Sequence, residues 1–325
     1  MSIQFKEFLD RSPSDPEIDE LLAIEEDSII DQLIKVSGAV TRKNWGNTVH
    51  CYYPGRLFPS ISITGKECAM KCEHCNHHYL EGMIPAETPD KLIEVCTKLN
   101  KEGARGCLIS GGFTADASLP FQKFIPALQE IKHKTKLTIN IHTGFISADV
   151  AEKLAKVGVD AVSVDLVGDD ETIQKVYGLN KTAADYLGML KLMKASGLRN
   201  IDPHICIGLK YGELDGEGNA LRMIRDSDIL NLTFIALNPT KGTPMQDVKA
   251  PTPRMIAKVI AVARLMMPKA SISLGCMRPT GAVRAEADYM GILAGANRIV
   301  VPTQSSLSRL EKEYHFERHQ TCCVI

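Results

Sequence analysis

The chain has 325 residues, 44% of them hydrophobic and 24% charged, with a formal net charge of -1. That length suits one large α/β barrel better than a small module. The balanced charge leaves no basic surplus for a phosphate backbone, which excludes nucleic acid as a partner on charge grounds. No apolar run approaches membrane-spanning length, and Met1 to Asp31 is acidic rather than signal-like, so a cytoplasmic protein with no membrane contact is expected.

Residues 1–50 read as an N-terminal helical extension. Asp15-Pro-Glu opens a helix, and Leu21, Leu22, Ile29, Ile30 and Leu33 give it one apolar stripe at helical spacing. From 51 to 305, β-branched runs alternate with amphipathic helices, which is the pattern of parallel βαβ units. Eight runs read as strands: Ser60 to Thr64, Gly106 to Ser110, Lys136 to His142, Asp160 to Leu166, His204 to Leu209, Asn231 to Leu237, Ala270 to Gly275 and Arg298 to Pro302. Thr88-Pro89, Ser147 and Thr252-Pro253 open intervening helices, while Gly103, Gly158 and Pro268 end them. The expectation is a closed (β/α)8 TIM-type barrel with a short C-terminal tail at 306–325. A six-stranded partial barrel with a separate C-terminal piece is the alternative.

Barrels of this kind carry their chemistry at the C-terminal ends of the strands. The residues just past the runs are polar and glycine-rich: Cys68, Cys72 and Cys75; Gly111 and Gly112; His142; Asp165; Gly208 and Glu213; Asn238; Cys276 and Arg278; Thr303 and Gln304. Such a rim reads as a cofactor mouth rather than as packing.

Ten cysteines without an export signal argue for thiols and metal ligation in a reducing compartment. In Cys68-Ala-Met-Lys-Cys72-Glu-His-Cys75, three thiolates at spacings of C-x3-C-x2-C follow a strand and can converge on one inorganic centre. A cluster held by only three cysteines keeps one iron open to a small molecule. A fragment of a zinc site, or chance clustering, is the other reading. His74, His77 and His78 read as a solvated or cluster-shielding surface. Cys96 shares a helix with Leu92 and Leu99 and reads as core, and Cys107 and Cys206 lie within strands. Cys51, Cys276, Cys322 and Cys323 fall at rim or surface positions where free thiols are a redox liability, and they form a candidate auxiliary cluster set. The ending Cys322-Cys323-Val-Ile has the form of a prenylation box, but its last residue is unusual for one and no polybasic stretch precedes it.

Gly111 and Gly112 remove side chains that would bar a bulky ligand from the backbone. Asn140 and His142 share strand parity and both could face inward, although a strand-end histidine bonded to a carbonyl explains His142 equally. Asp165, at the barrel side of its strand, is costly to bury without a partner, which makes it a candidate for ribose hydroxyls or a cationic group.

The C-x3-C-x2-C spacing resembles that of the radical S-adenosylmethionine (radical SAM) enzymes. Ser110-Gly-Gly112 looks like their Gly-Gly-Glu segment, with Phe113 in place of the glutamate. Leu237-Asn-Pro-Thr-Lys-Gly-Thr-Pro244 and Ile207-Gly-Leu209 with Gly212-Glu213 are similar to segments of the biotin synthase-related branch. Within that branch, Leu274-Gly-Cys-Met-Arg-Pro279 and the other motifs look most like a subunit of the two-component lipoyl synthase of archaeal type. The resemblance implies a 4Fe-4S cluster on Cys68, Cys72 and Cys75, and SAM cleavage to a 5'-deoxyadenosyl radical. It implies a SAM pocket formed by Gly111, Gly112, His142, Asp165, Gly208 and Asn238, and no catalytic side chain is assigned beyond the cluster. It also implies sulfur insertion into a protein-bound octanoyl chain, a second cluster as sulfur source, a second radical SAM subunit, a lipoyl-carrier protein or peptide substrate, and a low-potential electron donor. A single-cluster enzyme of the same branch, such as one rearranging a carbon skeleton, and a non-catalytic iron-sulfur protein are the alternatives.

Overall fold

The structure is a computed structural model that describes residues 5–325. A 3-10 turn at Phe5–Leu9 precedes α1 (Asp15–Leu22), where the Glu17 carboxylate accepts from the Ser14 amide at 2.7 Å and fixes the first turn. Helix α2 (Asp27–Trp45) starts after a break at residues 23–26, so the single stripe read from sequence belongs to two helices. A strand, β1 (Thr48–Tyr52), straddles the boundary at residue 50 between the expected helical extension and the barrel.

The alternating elements follow: β2 (Ser60–Ser62), β3 (Ile84–Pro85), α3 (Pro89–Lys101), β4 (Gly106–Ser110), α4 (Ile125–Lys134), β5 (Thr138–Thr143), α5 (Ala148–Val157), β6 (Ala161–Asp165), α6 (Asp170–Tyr177) and α7 (Ala183–Ala195). Then come β7 (Ile201–Ile207), α8 (Glu217–Asp226), β8 (Asn231–Ala236), α9 (Pro253–Met266), β9 (Ser271–Leu274), α10 (Gly281–Ala294), β10 (Arg298–Val300), α11 (Gln304–Leu310) and β11 (His315–His319). All eight runs read as strands are strands, β2 and β4 to β10. The helix starts also stand where expected. The hydroxyls of Thr88, Ser147 and Thr252 accept from the amides of Lys91, Val150 and Met255 at 3.2, 3.3 and 3.2 Å.

The chain divides into two compact units. One comprises residues up to Tyr52 with 204–239 and 247–319, and the other comprises 53–203, 240–246 and 320–325. In the first, all pairings are parallel and run β7, β8, β9, β10, β1, β11. Its core is built on α9, buried from Ile256 to Met266 and packed by α2 and α10. A Cβ on Gly38 would meet the Leu293 carbonyl at 2.5 Å, so α2 approaches α10 this closely only with glycine there. In the second unit the parallel order is β6, β5, β4, β2, β3. Ile109, Ile139, Ile141 and Val162 are fully buried, as in a parallel sheet covered on both faces. Among the described residues, no helix is long and apolar enough to cross a membrane.

Candidate iron-sulfur and cofactor site

In the second unit, β2 runs directly into the three-cysteine loop, and each turn of that loop is pinned. Ser62 Oγ donates to the Gly65 carbonyl at 2.7 Å and Thr64 Oγ1 donates to the Glu67 carbonyl at 3.1 Å. The Ala69 amide donates to the Phe113 carbonyl at 2.7 Å, and the Phe113 amide points at Cys68 Sγ at 3.3 Å. Amides of Cys75 and Asn76 both donate to the Cys72 carbonyl, at 3.1 and 2.9 Å, winding the loop so that Cys72 and Cys75 stand together. Asn76 and His77 take left-handed φ values of 42° and 69°, and the His77 ring bonds the Met70 carbonyl at 2.8 Å. The segment 240–246 closes over the loop: Tyr79 and Thr240 hydroxyls lie 3.2 Å apart, and Asn76 Nδ2 donates to the Gly242 carbonyl at 3.3 Å.

Burial pushes the Cys72 thiol up to about 12, and the neighbours that add to this, Cys75, Cys68 and Asp165, are all negative when ionised. Burial also raises Cys75. Part-buried thiols such as Cys72 and Cys75, raised by burial and by negative neighbours, suit a positively charged inorganic centre, which would hold them and Cys68 as thiolates.

The glycine pair just past β4 makes room for the loop itself. A Cβ on Gly112 would sit 2.0 Å from the Glu67 carbonyl oxygen and 2.5 Å from the Cys68 Cβ, and one on Gly111 would lie 2.8 Å from Thr64 Oγ1. The Gly112 amide donates to Thr64 Oγ1 at 2.7 Å. The space these glycines were expected to leave for a ligand is thus filled, on the side a Cβ would take, by the cysteine loop.

At the ends of β5 and β6, His142 Nε2 lies 3.4 Å from Asp165 Oδ1, so the two residues singled out separately form one pair. Burial alone lowers the pKa of His142, but the Asp165 charge and hydrogen bond, helped by Cys322, outweigh it and raise the imidazole above its usual range. The Phe113 ring meets His142 edge-on at 6.4 Å. Asn140 bonds Ser163 through its amide nitrogen at 3.0 Å, and the same nitrogen faces Cys322 Sγ at 3.9 Å. The tail therefore returns to this rim. The Cys323 thiol and nearby N–H groups donate to Cys322 and bring its thiol down to about 7 against the cost of burial.

Other rim residues differ from expectation. His74 is not solvated: its Nδ1 is buried, its ring packs on Tyr177 at 5.1 Å, and burial lowers its pKa. In the first unit, Arg278 is not a rim group. It is fully buried and paired with Asp288 at 2.7 Å, and it also donates to the Val300 carbonyl at 2.9 Å. Thr303 serves as the N-cap of α11. Gly208, at φ +73°, donates its amide to Glu217 at 2.9 Å, so Glu217 and not Glu213 supplies the carboxylate here. Sequence reasoning missed Glu217, whose one signal is its place after Gly216 at the start of α8. Of the proposed auxiliary ligands, Cys276 is exposed and Cys51 fully buried in the first unit, where burial pushes the Cys51 thiol up to about 11. Cys322 and Cys323 belong to the second unit, so the four are not assembled within either one. Asn238 is likewise in the first unit, and the part of its loop that touches the cysteine turns is 240–246.

The model of the radical SAM superfamily matches residues 62–224, half of the chain and all of the three-cysteine loop. The chain belongs to the radical SAM superfamily. A model of the biotin and thiamin synthesis associated domain matches residues 233–322. Among curated relatives, this radical SAM protein is 27% identical over 269 residues to biotin synthase of Synechococcus elongatus, covering 78% of this chain and 80% of the relative. It is 25% identical over 242 residues to biotin synthase of Clostridium acetobutylicum, covering 73% and 71%. Its fold is similar to that of HydG, a maturase of the FeFe-hydrogenase, with a TM-score of 0.72, 14% identity and coverage of 96% and 74%. Methylornithine synthase has a TM-score of 0.65, 17% identity and coverage of 96% and 91%.

As a radical SAM enzyme the chain uses a 4Fe-4S cluster and S-adenosylmethionine. Cys68, Cys72 and Cys75 are the residues that would hold the cluster, which when bound supplies the electron for reductive cleavage of SAM. The chain's own part is positional. Thr64 and the glycine pair fix the cysteine turns, the Phe113 amide supports the Cys68 sulfur, and the His142–Asp165 pair offers a charged hydrogen-bonding surface at the same strand ends.

Proposed function

We propose that this radical SAM enzyme is one subunit of a lipoyl synthase-type pair, inserting sulfur into a protein-bound octanoyl chain. In this reading it is a cytoplasmic protein with a TIM-type (β/α)8 barrel, and it acts with a second radical SAM subunit, a lipoyl-carrier protein or peptide as substrate, and a low-potential electron donor. An aliphatic C–H bond yields to no acid or base side chain at neutral pH, which is why such a substrate calls for radical chemistry. The observation that carries the sulfur-inserting reading is the return of Cys322 to Asn140 in the unit that holds Cys68, Cys72 and Cys75. A thiol beside β5, in the unit of the cysteine loop, supports a second, sulfur-supplying cluster near the first, and closeness is what capture of a substrate radical demands. SAM is proposed to contact His142, Asp165, Gly208, Asn238 and the backbone at Gly111 and Gly112.

The single-cluster alternative draws support from the placement of the four auxiliary candidates, since Cys51 is buried in the first unit and Cys276 is exposed there while Cys322 and Cys323 belong to the second. One experiment separates the two. After anaerobic reconstitution, a chain lacking residues 321–325 is expected to lose half its iron, to retain SAM cleavage under reductant, and to transfer no sulfur to an octanoyl-lysine peptide supplied with the partner subunit. Unchanged iron in the truncated chain would transfer the assignment to a single-cluster enzyme.

A further inference from the structure

The first unit holds a second group of metal-ligating side chains, distinct from the cysteine loop. Strands β1 and β11 pair in parallel, with His50 opposite Glu317 and Tyr52 opposite His319. Because strand side chains alternate, these four project from one face of the two-strand edge. His50 Nδ1 lies 3.0 Å from His319 Nε2 and 3.2 Å from Glu317 Oε2, and His319 Nε2 lies 3.9 Å from the same carboxylate oxygen. Two ring nitrogens and one oxygen thus surround a single point. Tyr52 stacks on His319 at 4.9 Å with the planes 25° apart, which sets the orientation of that ring.

Hydrogen bonding alone accounts poorly for this convergence. His50 Nδ1 can offer one proton or one lone pair, yet two partners aim at it. If it donates to Glu317, His319 Nε2 either shares that one proton or brings a second N–H against it. A cation at the centre satisfies all three lone pairs together. In a tetrahedral site with bonds of about 2.0–2.2 Å, ligand atoms stand roughly 3.3 Å apart, and the three measured separations bracket that value.

We infer that His50, Glu317 and His319 form a binding site for a divalent first-row transition-metal ion of the zinc type, with at least one position left to solvent. Two imidazoles and a carboxylate are a donor set suited to Zn, Fe, Ni or Cu and not to the hard cations Mg or Ca. The two histidines and the glutamate are from 30 to 47% exposed, which gives an ion a path in from water. The ion would clasp β11, the last strand of this unit, to β1.

The test is zinc binding to the cluster-containing full-length protein, by anaerobic equilibrium dialysis with Zn2+ alone and metal analysis of each chain. Wild type is expected to take one Zn2+ per chain without losing iron, and to melt at a higher temperature with zinc than without it. His50→Gln and His319→Gln should each weaken that binding at least tenfold and abolish the thermal shift while keeping the same iron content. Glu317→Gln should weaken it less, since a neutral oxygen remains. His319 ends an edge strand, so its variant decides the matter if the His50 variant fails to fold. Zinc that binds equally well to His319→Gln, or no zinc bound by wild type, overturns the site.

Discussion

A Cβ placed on Gly112 would come within 2.5 Å of the Cys68 Cβ, so the strand after the cysteine loop and the first cluster ligand are packed backbone to backbone. Gly112→Val should therefore displace Cys68 before it touches any SAM pocket. The expected result is iron well below wild type after reconstitution, with SAM cleavage lost in proportion. A variant that holds full iron and loses only SAM affinity would return the glycine to a ligand-facing role.

Thr64 ties the same two segments by accepting from the Gly112 amide and donating to the Glu67 carbonyl. Thr64→Val keeps the shape and leaves the buried Gly112 amide without its acceptor, at about 1–3 kcal/mol for a buried orphan. A chelator should strip iron from this variant several times faster than from wild type, while Thr64→Ser, which retains the hydroxyl, should behave like wild type. Equal rates in all three would mean the hydroxyl does not hold the loop.

The Arg278–Asp288 pair is wholly excluded from solvent, and Asp288 also accepts from the Thr303 amide at 2.7 Å. Asp288→Ala leaves a buried guanidinium without its counter-charge, a loss of about 3–5 kcal/mol. Thermal unfolding should show a fall of several degrees. An unchanged midpoint would place the pair outside the stabilising core.

The eight strand runs were legible because a parallel strand buried on both faces is rich in β-branched residues, as in Ile139 and Ile141 of β5 and Val162 and Val164 of β6. Strand β11 was not legible: His-Phe-Glu-Arg-His carries no apolar run, because it lies at the edge of its unit's parallel order and pairs only with β1 there. The break between α1 and α2 was hidden for the opposite reason, since Ala23, Ile24, Glu25 and Glu26 are all tolerable in a helix. At the site, the spacing of Cys68, Cys72 and Cys75 announced the loop. Pairs between distant elements left no mark in the sequence: His142 with Asp165, Asn140 with Cys322, and Arg278 with Asp288 depend on which strand ends become neighbours.

Glu217 offers a test in pH. Burial pushes its carboxyl up to about 7, and although the Gly208 amide donates to Oε1, Oε2 has no hydrogen-bond partner among the described residues. A carboxyl whose folded pKa lies above its ordinary value of 4.5 keeps its proton in the folded chain after the unfolded chain has released it. Unfolding then releases a proton, so stability falls as pH rises from about 4.5 through about 7, by roughly 3 kcal/mol in all. Below that window both states are protonated and the effect vanishes. Glu217→Gln preserves the carbonyl that accepts from Gly208 and cannot ionise. Its urea midpoint should match wild type near pH 4.5 and exceed it near pH 8, with every other titrating group common to both chains. Parallel pH profiles for the two chains would mean that Glu217 ionises in the fold at its ordinary pH.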